Sequence, residues 1–86
     1  MLNAASPIPL YRQLADTLLA DIRAKRYGPG RRIPSEHALA LRYGIGRPTV
    51  RQATDLLVRR HVLERRRGAG TFVSKTPEGV DLLSLA

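Results

Sequence analysis

The chain has 86 residues, 43% of them apolar, with 15 Lys and Arg against seven Asp and Glu, a formal charge of +8. That length suits one small domain, and that apolar share suits a folded core rather than a disordered arm. The absence of cysteine excludes disulfides and thiolate metal sites, no apolar run approaches membrane-spanning length, and the arginine-rich excess draws polyanions.

Residues 1–8 read as a flexible arm. Met1 to Ala4 lack the basic start and long apolar stretch of a secretion signal, so a cytoplasmic location and no membrane partner are expected. From Pro9, Leu10, Leu14, Leu18 and Ile22 recur at steps of four, with Tyr11, Ala15 and Leu19 beside them, which predicts an amphipathic helix. Pro9 suits its first turn, and Gly28-Pro29-Gly30 forces its end near Arg26 or Tyr27. Arg31-Arg32-Ile33 can supply a minor strand.

Ser35 is placed to N-cap a second helix, Glu36-His37-Ala38-Leu39-Ala40-Leu41, with Leu39 and Tyr43 facing inward, and Glu36 suits the positive end of that helix. Gly44 is placed for a left-handed C-cap and a sharp turn. A third helix starts at Gly46 or Arg47, tolerates Pro48 in its first turn and runs to about Arg60. At about 100° per residue, Val50, Ala53 and Leu57 share one face, while Arg47, Arg51 and Asp55 share another nearly opposite, with Gln52 at its edge. The core therefore holds one side and the arginines point outward. Val62–Arg65 and Thr71–Ser74 read as antiparallel strands with Gly68-Ala69-Gly70 at their tip. Residues 75–86 read as a linker ending in the apolar Leu82-Leu83-Ser84-Leu85. The fold class is mainly α with a small β-hairpin, three helices plus a wing, over residues 9–74.

Two short helices joined by a glycine turn, with arginines opening the second, form the arrangement by which a helix-turn-helix enters a DNA major groove. Arg47 and Arg51 are the leading candidates, since a guanidinium can take O6 and N7 of guanine or clamp a phosphate. Thr49 can meet a phosphate or a thymine methyl, or cap its own helix. Gln52 can read adenine or stay solvated, and Pro48 can meet a thymine methyl or simply start the helix. Ser35 is a cap whose neighbouring amides suit a phosphate. Glu36 is expected to orient a nearby arginine through an ion pair.

Arg65, Arg66 and Arg67 alternate faces if they lie on a strand, so at least one points away from DNA. Arg67 beside Gly68 suits a groove, Arg66 a phosphate, and Gly68 and Gly70 permit close approach; Thr71 completes the candidate surface. His37 and His61 lack a metal-ligand pattern or a nucleophile partner, and no catalytic cluster is present, so no enzyme is expected. A sequence-specific DNA regulator, a non-specific architectural nucleic-acid binder and a winged-helix protein-interaction module all remain open from the residues alone.

The order Pro9-Leu10-Tyr11, Pro29-Gly30, Ile33-Pro34-Ser35-Glu36, Leu39-Ala40, Tyr43-Gly44-Ile45, Gly46-Arg47-Pro48-Thr49-Val50-Arg51 and Gly68-Ala69-Gly70-Thr71-Phe72-Val73 resembles the GntR family of bacterial transcription regulators. The resemblance implies a winged helix-turn-helix that binds a palindromic operator, as a homodimer on DNA or through a further domain, usually as a repressor. It places operator contacts at Arg47 and Arg51, with His37 at a position similar to a DNA-contacting one. It implies no cofactor in this chain: a small-molecule effector would need a C-terminal domain that is absent, and Leu82–Leu85 is similar to the segment leading into that domain in the HutC-like branch. Two positions depart from the family pattern. Gly46 stands where Ser is usual, losing a cap hydroxyl, and His61 stands where glycine is common, so a left-handed helix end there would be strained.

Overall fold

The computed structural model describes residues 2–75. Three helices, α1 (Leu10–Arg23), α2 (Glu36–Tyr43) and α3 (Arg47–Arg59), precede a hairpin of β1 (Leu63–Arg66) and β2 (Gly70–Val73). The hairpin is antiparallel, with Leu63 opposite Val73 and Arg66 opposite Gly70. Arg32 bridges to Phe72, and the hydrogen bonds Ile33 N–H to Thr71 C=O and Val73 N–H to Arg31 C=O make the 31–33 segment a third, minor strand, as the sequence suggested. The expected linker lies, apart from Lys75, outside the described residues, as does the apolar tail.

One core joins every element. Leu14, Ala15, Leu18 and Ile22 of α1 meet Leu39 of α2 and Val50, Ala53 and Leu57 of α3, closed below by Ile33, Val62, Leu63 and Val73. Leu14, Leu39, Val50 and Ala53 are wholly inaccessible to solvent. The leucine stripe and the Val50-Ala53-Leu57 face thus both point where their spacing required. Tyr43 packs partly against this core.

All three helices end in the same left-handed device. After α2, Gly44 adopts φ 65°, and Ile45 N–H reaches back to Ala40 C=O. After α1 the left-handed residue is Lys25 (φ 66°), with Arg26 N–H on Asp21 C=O and Lys25 N–H on Ile22 C=O. After α3 it is His61 (φ 62°), with Val62 N–H on Leu57 C=O and His61 N–H on Val58 C=O. These paired backward bonds satisfy carbonyls that the helix ends leave open. Two boundaries of α1 differ from expectation. The first helix stops at Arg23 rather than near Arg26 or Tyr27, because Lys25 turns left-handed before the glycines arrive. Pro9 is its N-cap, its carbonyl accepting from Arg12 and Gln13 N–H, rather than a first-turn residue.

The strand bounds differ from expectation by one residue. Val62 belongs to the cap of α3, so β1 begins at Leu63; β2 begins at Gly70, and Arg67, Gly68 and Ala69 form the turn. Ser74 N–H still bonds Val62 C=O and carries the pairing one step further. Ahead of α1, the segment read as an arm is bonded to Gln13, whose Oε1 accepts from Asn3 N–H and whose amide donates to Asn3 and Ile8 carbonyls.

Candidate nucleic-acid interface

The helix-turn-helix brings three charged side chains together. Ser35 caps α2 by accepting from Ala38 N–H at 3.0 Å, which fixes the start of the helix and places Glu36 in its first turn. Gly44 then turns the chain so that α3 opens beside α2. Gly46 is the N-cap of α3 without a side-chain bond, and Arg47 and Pro48 follow. Arg47 Nε–H donates to Glu36 Oε1 at 3.0 Å. Arg51, one turn along, donates from Nε to Oε2 at 3.0 Å and from Nη2 to Oε1 at 2.9 Å.

One carboxylate therefore holds two guanidiniums, Arg51 by both oxygens. Planar fork-to-carboxylate pairing fixes orientation as well as distance. The ion pair expected of Glu36 is present, and it takes both arginines. The guanidinium side chains remain 59% exposed and the carboxylate 24%, so the cations lie outermost and the anion beneath. Hydrogen bonding from Arg51, followed by that from Arg47 and the charge of both, outweighs desolvation and holds the Glu36 carboxyl below its ordinary value. The same bond raises Arg51. Two positive charges against one negative leave this surface cationic.

Around the clamp, His37 and Pro48 are exposed, and Thr49 is half-buried in the first turn of α3. Gln52 is exposed and lines a cleft of about 200 Å³ with Tyr11, Asp55 and Arg59, between α1 and α3. The clamp residues and the first turn of α3 thus form one surface, with Gln52 at its α1 side.

The wing carries the second group. Strand alternation puts Arg65 on the face of Leu63, toward α3. Its guanidinium pairs with Asp55 and donates to Thr54 Oγ1 at 2.6 Å. Thr54 is the buried polar residue of α3, and its hydroxyl also donates to Arg51 C=O. Arg65 therefore ties wing to recognition helix, and it is the member of the arginine run that turns away from the outer face. Thr71, opposite Arg65, is half-buried on the same inner side.

Arg66 lies on the outer face. Its guanidinium sits 4.3 Å from the Phe72 ring centroid and donates to Glu64 Oε1 at 3.2 Å. Arg67 and Gly68 form the exposed tip, where Ala69 N–H closes the turn onto Arg66 C=O. Gly70 has φ 127°, and the space above it is occupied by Arg32: a Cβ there would lie 2.7 Å from Arg32 Nε. The sequence reading missed the Thr54–Arg65 bond and the Arg32 contact. The buried threonine on an otherwise apolar face was a signal for the first; the second left no local trace.

The sequence profile described as bacterial regulatory proteins, gntR family, matches residues 10–73. The mannosyl-D-glycerate transport/metabolism system repressor MngR of Escherichia coli (strain K12) is 40% identical over 77 residues, covering 90% of this chain and 32% of the relative. The HTH-type transcriptional repressor NagR of Bacillus subtilis (strain 168) is 45% identical over 74 residues, covering 86% of this chain and 30% of the relative. The chain spans about a third of the length of these curated relatives. Among solved structures, the AraR DNA-binding domain in complex with operator ORE1 superposes with a TM-score of 0.77 at 31% identity, covering 86% of this chain and 90% of that one. A GntR family transcriptional regulator from Listeria monocytogenes shares the fold, with a TM-score of 0.83 over 98% of this chain and 72% of that one at 19% identity. The profile match runs from α1 to the end of the wing, most of the sequence: the chain belongs to the gntR family of bacterial regulatory proteins.

Proposed function

We propose that this chain is the DNA-binding unit of a transcription regulator, acting as a repressor like the relatives it resembles, and that two copies read an inverted-repeat operator. The observation that carries the reading is the Glu36 clamp: two exposed guanidiniums, Arg51 held in a fixed plane and Arg47 tethered beside it, at the start of the second helix of a helix-turn-helix. That end of the helix is the part that meets base edges in this motif. Arg47 and Arg51 then make the guanine or phosphate contacts, with Pro48, Thr49 and Gln52 flanking them. Ser35 and His37, at the start of α2, lie along the adjoining backbone, and Glu36 keeps the two readers in register.

In this reading Arg67 and Gly68 enter a minor groove and Arg66 meets a flanking phosphate. Gly70 and Thr71 shape the wing rather than touch the duplex. No catalytic step and no bound cofactor belongs to this reading, and no helix among the described residues is long and apolar enough to cross a membrane. Selection of bound duplexes from a random pool tests it. A two-fold symmetric consensus supports the proposal. A pool that stays random while still bound favours non-specific coating instead, and a chain that retains no duplex favours a protein partner.

A further inference from the structure

We propose that Arg32, which lies outside both the helix-turn-helix and the hairpin, is a phosphate-binding residue of the same interface, and that the missing side chain of Gly70 is the slot that aims it. The inference rests on the duplex-binding reading above and adds a ligand contact to it. Arg32 sits on the minor strand opposite Phe72, so its side chain leaves the sheet on the outer face, the face of Phe72 and Arg66. From there it runs along the sheet toward the tip. A Cβ on Gly70 would lie 2.7 Å from its Nε, 3.3 Å from its Cζ and 3.4 Å from its Nη2. The guanidinium therefore lies on the Gly70 backbone, in space that any other residue would fill.

Gly70 is itself opposite Arg66, whose guanidinium is stacked on Phe72, and three positions from Arg67. Among the described residues no carboxylate comes within ion-pair distance of Arg32, while Glu64 is taken by Arg66. Arg32 is thus an exposed arginine on the face of Arg66, without a counter-charge of its own among the described residues. Together they form a cationic wing face whose complement is a phosphodiester backbone.

Fluorescence anisotropy of the 86-residue chain on a labelled duplex, repeated across a salt series, tests this. Arg32→Ala should lower the slope of log affinity against log salt by about one, with an unchanged melting temperature. Arg32→Lys should restore the slope. Gly70→Ala should lower the slope by the same amount, and should lower it no further in the Arg32→Ala background. A slope for Arg32→Ala equal to that of the parent chain overturns the inference, whether or not affinity falls. A Gly70→Ala slope unchanged, or reduced equally in both backgrounds, overturns the role of the slot. A parent chain without salt-dependent duplex binding overturns the proposed function itself, and is recognised before any variant is compared.

Discussion

Glu36 and Arg51 meet across the helix-turn-helix with both carboxylate oxygens engaged, Oε2 on Nε at 3.0 Å and Oε1 on Nη2 at 2.9 Å. Oε1 also accepts from Arg47. The arrangement fixes the guanidinium plane of one candidate reader and the position of another. Because both cations stay solvent-exposed, the clamp orders them without hiding them, which is what a pre-organised reading surface requires.

Glu36→Gln keeps the side chain's length but removes the charge that both arginines share. Affinity for random duplex should rise, and its salt slope should steepen by about one as a repelling anion disappears. Discrimination between selected and random duplex should fall, because two long side chains regain their rotamers. Competition titrations with both duplexes at one salt concentration check the two effects together. A variant that discriminates as well as the parent would show that Glu36 does not position the readers.

Arg51→Ala and Arg66→Ala should fail differently. Loss of a bidentate guanine contact should reduce discrimination at one operator position roughly ten- to hundredfold and leave other positions alone. Loss of Arg66, held outward on Phe72, should weaken every duplex alike and flatten the salt slope by about one. Titration against single-base operator variants separates them; equal loss on every sequence for Arg51→Ala would remove its reading role.

The clamp should persist through mildly acidic conditions. The Glu36 carboxyl is held below its ordinary value of 4.5, chiefly by the Arg51 hydrogen bond. A carboxyl lowered on folding contributes stability that is fully present above the unfolded pKa and is lost as pH falls through the folded one. The Nε–H resonances of Arg47 and Arg51 should therefore stay fixed from neutral pH down to the ordinary carboxylate range. They should then shift together, with one common midpoint below 4.5. Separate midpoints, or a midpoint at or above that value, would contradict a shared carboxylate. In Glu36→Gln the step should vanish.

His61→Gly should stabilise the fold. His61 sits at φ 62° in the cap of α3, where a side chain costs about 1 kcal/mol, and histidine tolerates the left-handed region better than most residues. Glycine removes that strain but adds unfolded-state entropy, so the net gain should be about 0.5 kcal/mol, or a few degrees in Tm. Lys25→Gly should act in the same direction at the end of α1, and Gly44→Ala in the opposite one. Thermal melting monitored by circular dichroism gives all three signs.

Thr54→Val should loosen the wing without hollowing the core. It removes the oxygen that accepts from Arg65, leaving that guanidinium with Asp55 alone. The expected cost is about 1 kcal/mol, since the lost bond is partly buried and charge-assisted. Amide exchange should rise along β1 and β2 more than along α1. Uniform acceleration throughout the chain would instead indicate a general packing defect.

Several features were legible because their causes are local. The Leu14-Leu18-Ile22 stripe, the Ser35 cap, the Gly44 turn and the outward arginine face each depend on residues within about a turn of one another. The left-handed helix end at His61 was suggested by the resemblance, which has glycine as the common residue there, and His61 adopts φ 62°. The end of α1 was misjudged because Gly28-Pro29-Gly30 is a strong stop signal, whereas a lysine in the left-handed region gives none. The hairpin bounds moved by one residue because the cap of α3 claims Val62.

Local pattern, then, determined three helices, a hairpin and which side of α3 bears its charge, since periodicity and capping are properties of neighbouring residues. The tertiary fold alone decided how the long charged side chains are shared out: both arginines to Glu36, Arg65 inward to Thr54 and Asp55, Arg32 across Gly70. Those partners stand 10 to 38 positions apart in the chain. Side chains with several rotatable bonds choose among every counter-group within reach, and only the packing of α2, α3 and the wing sets which groups those are.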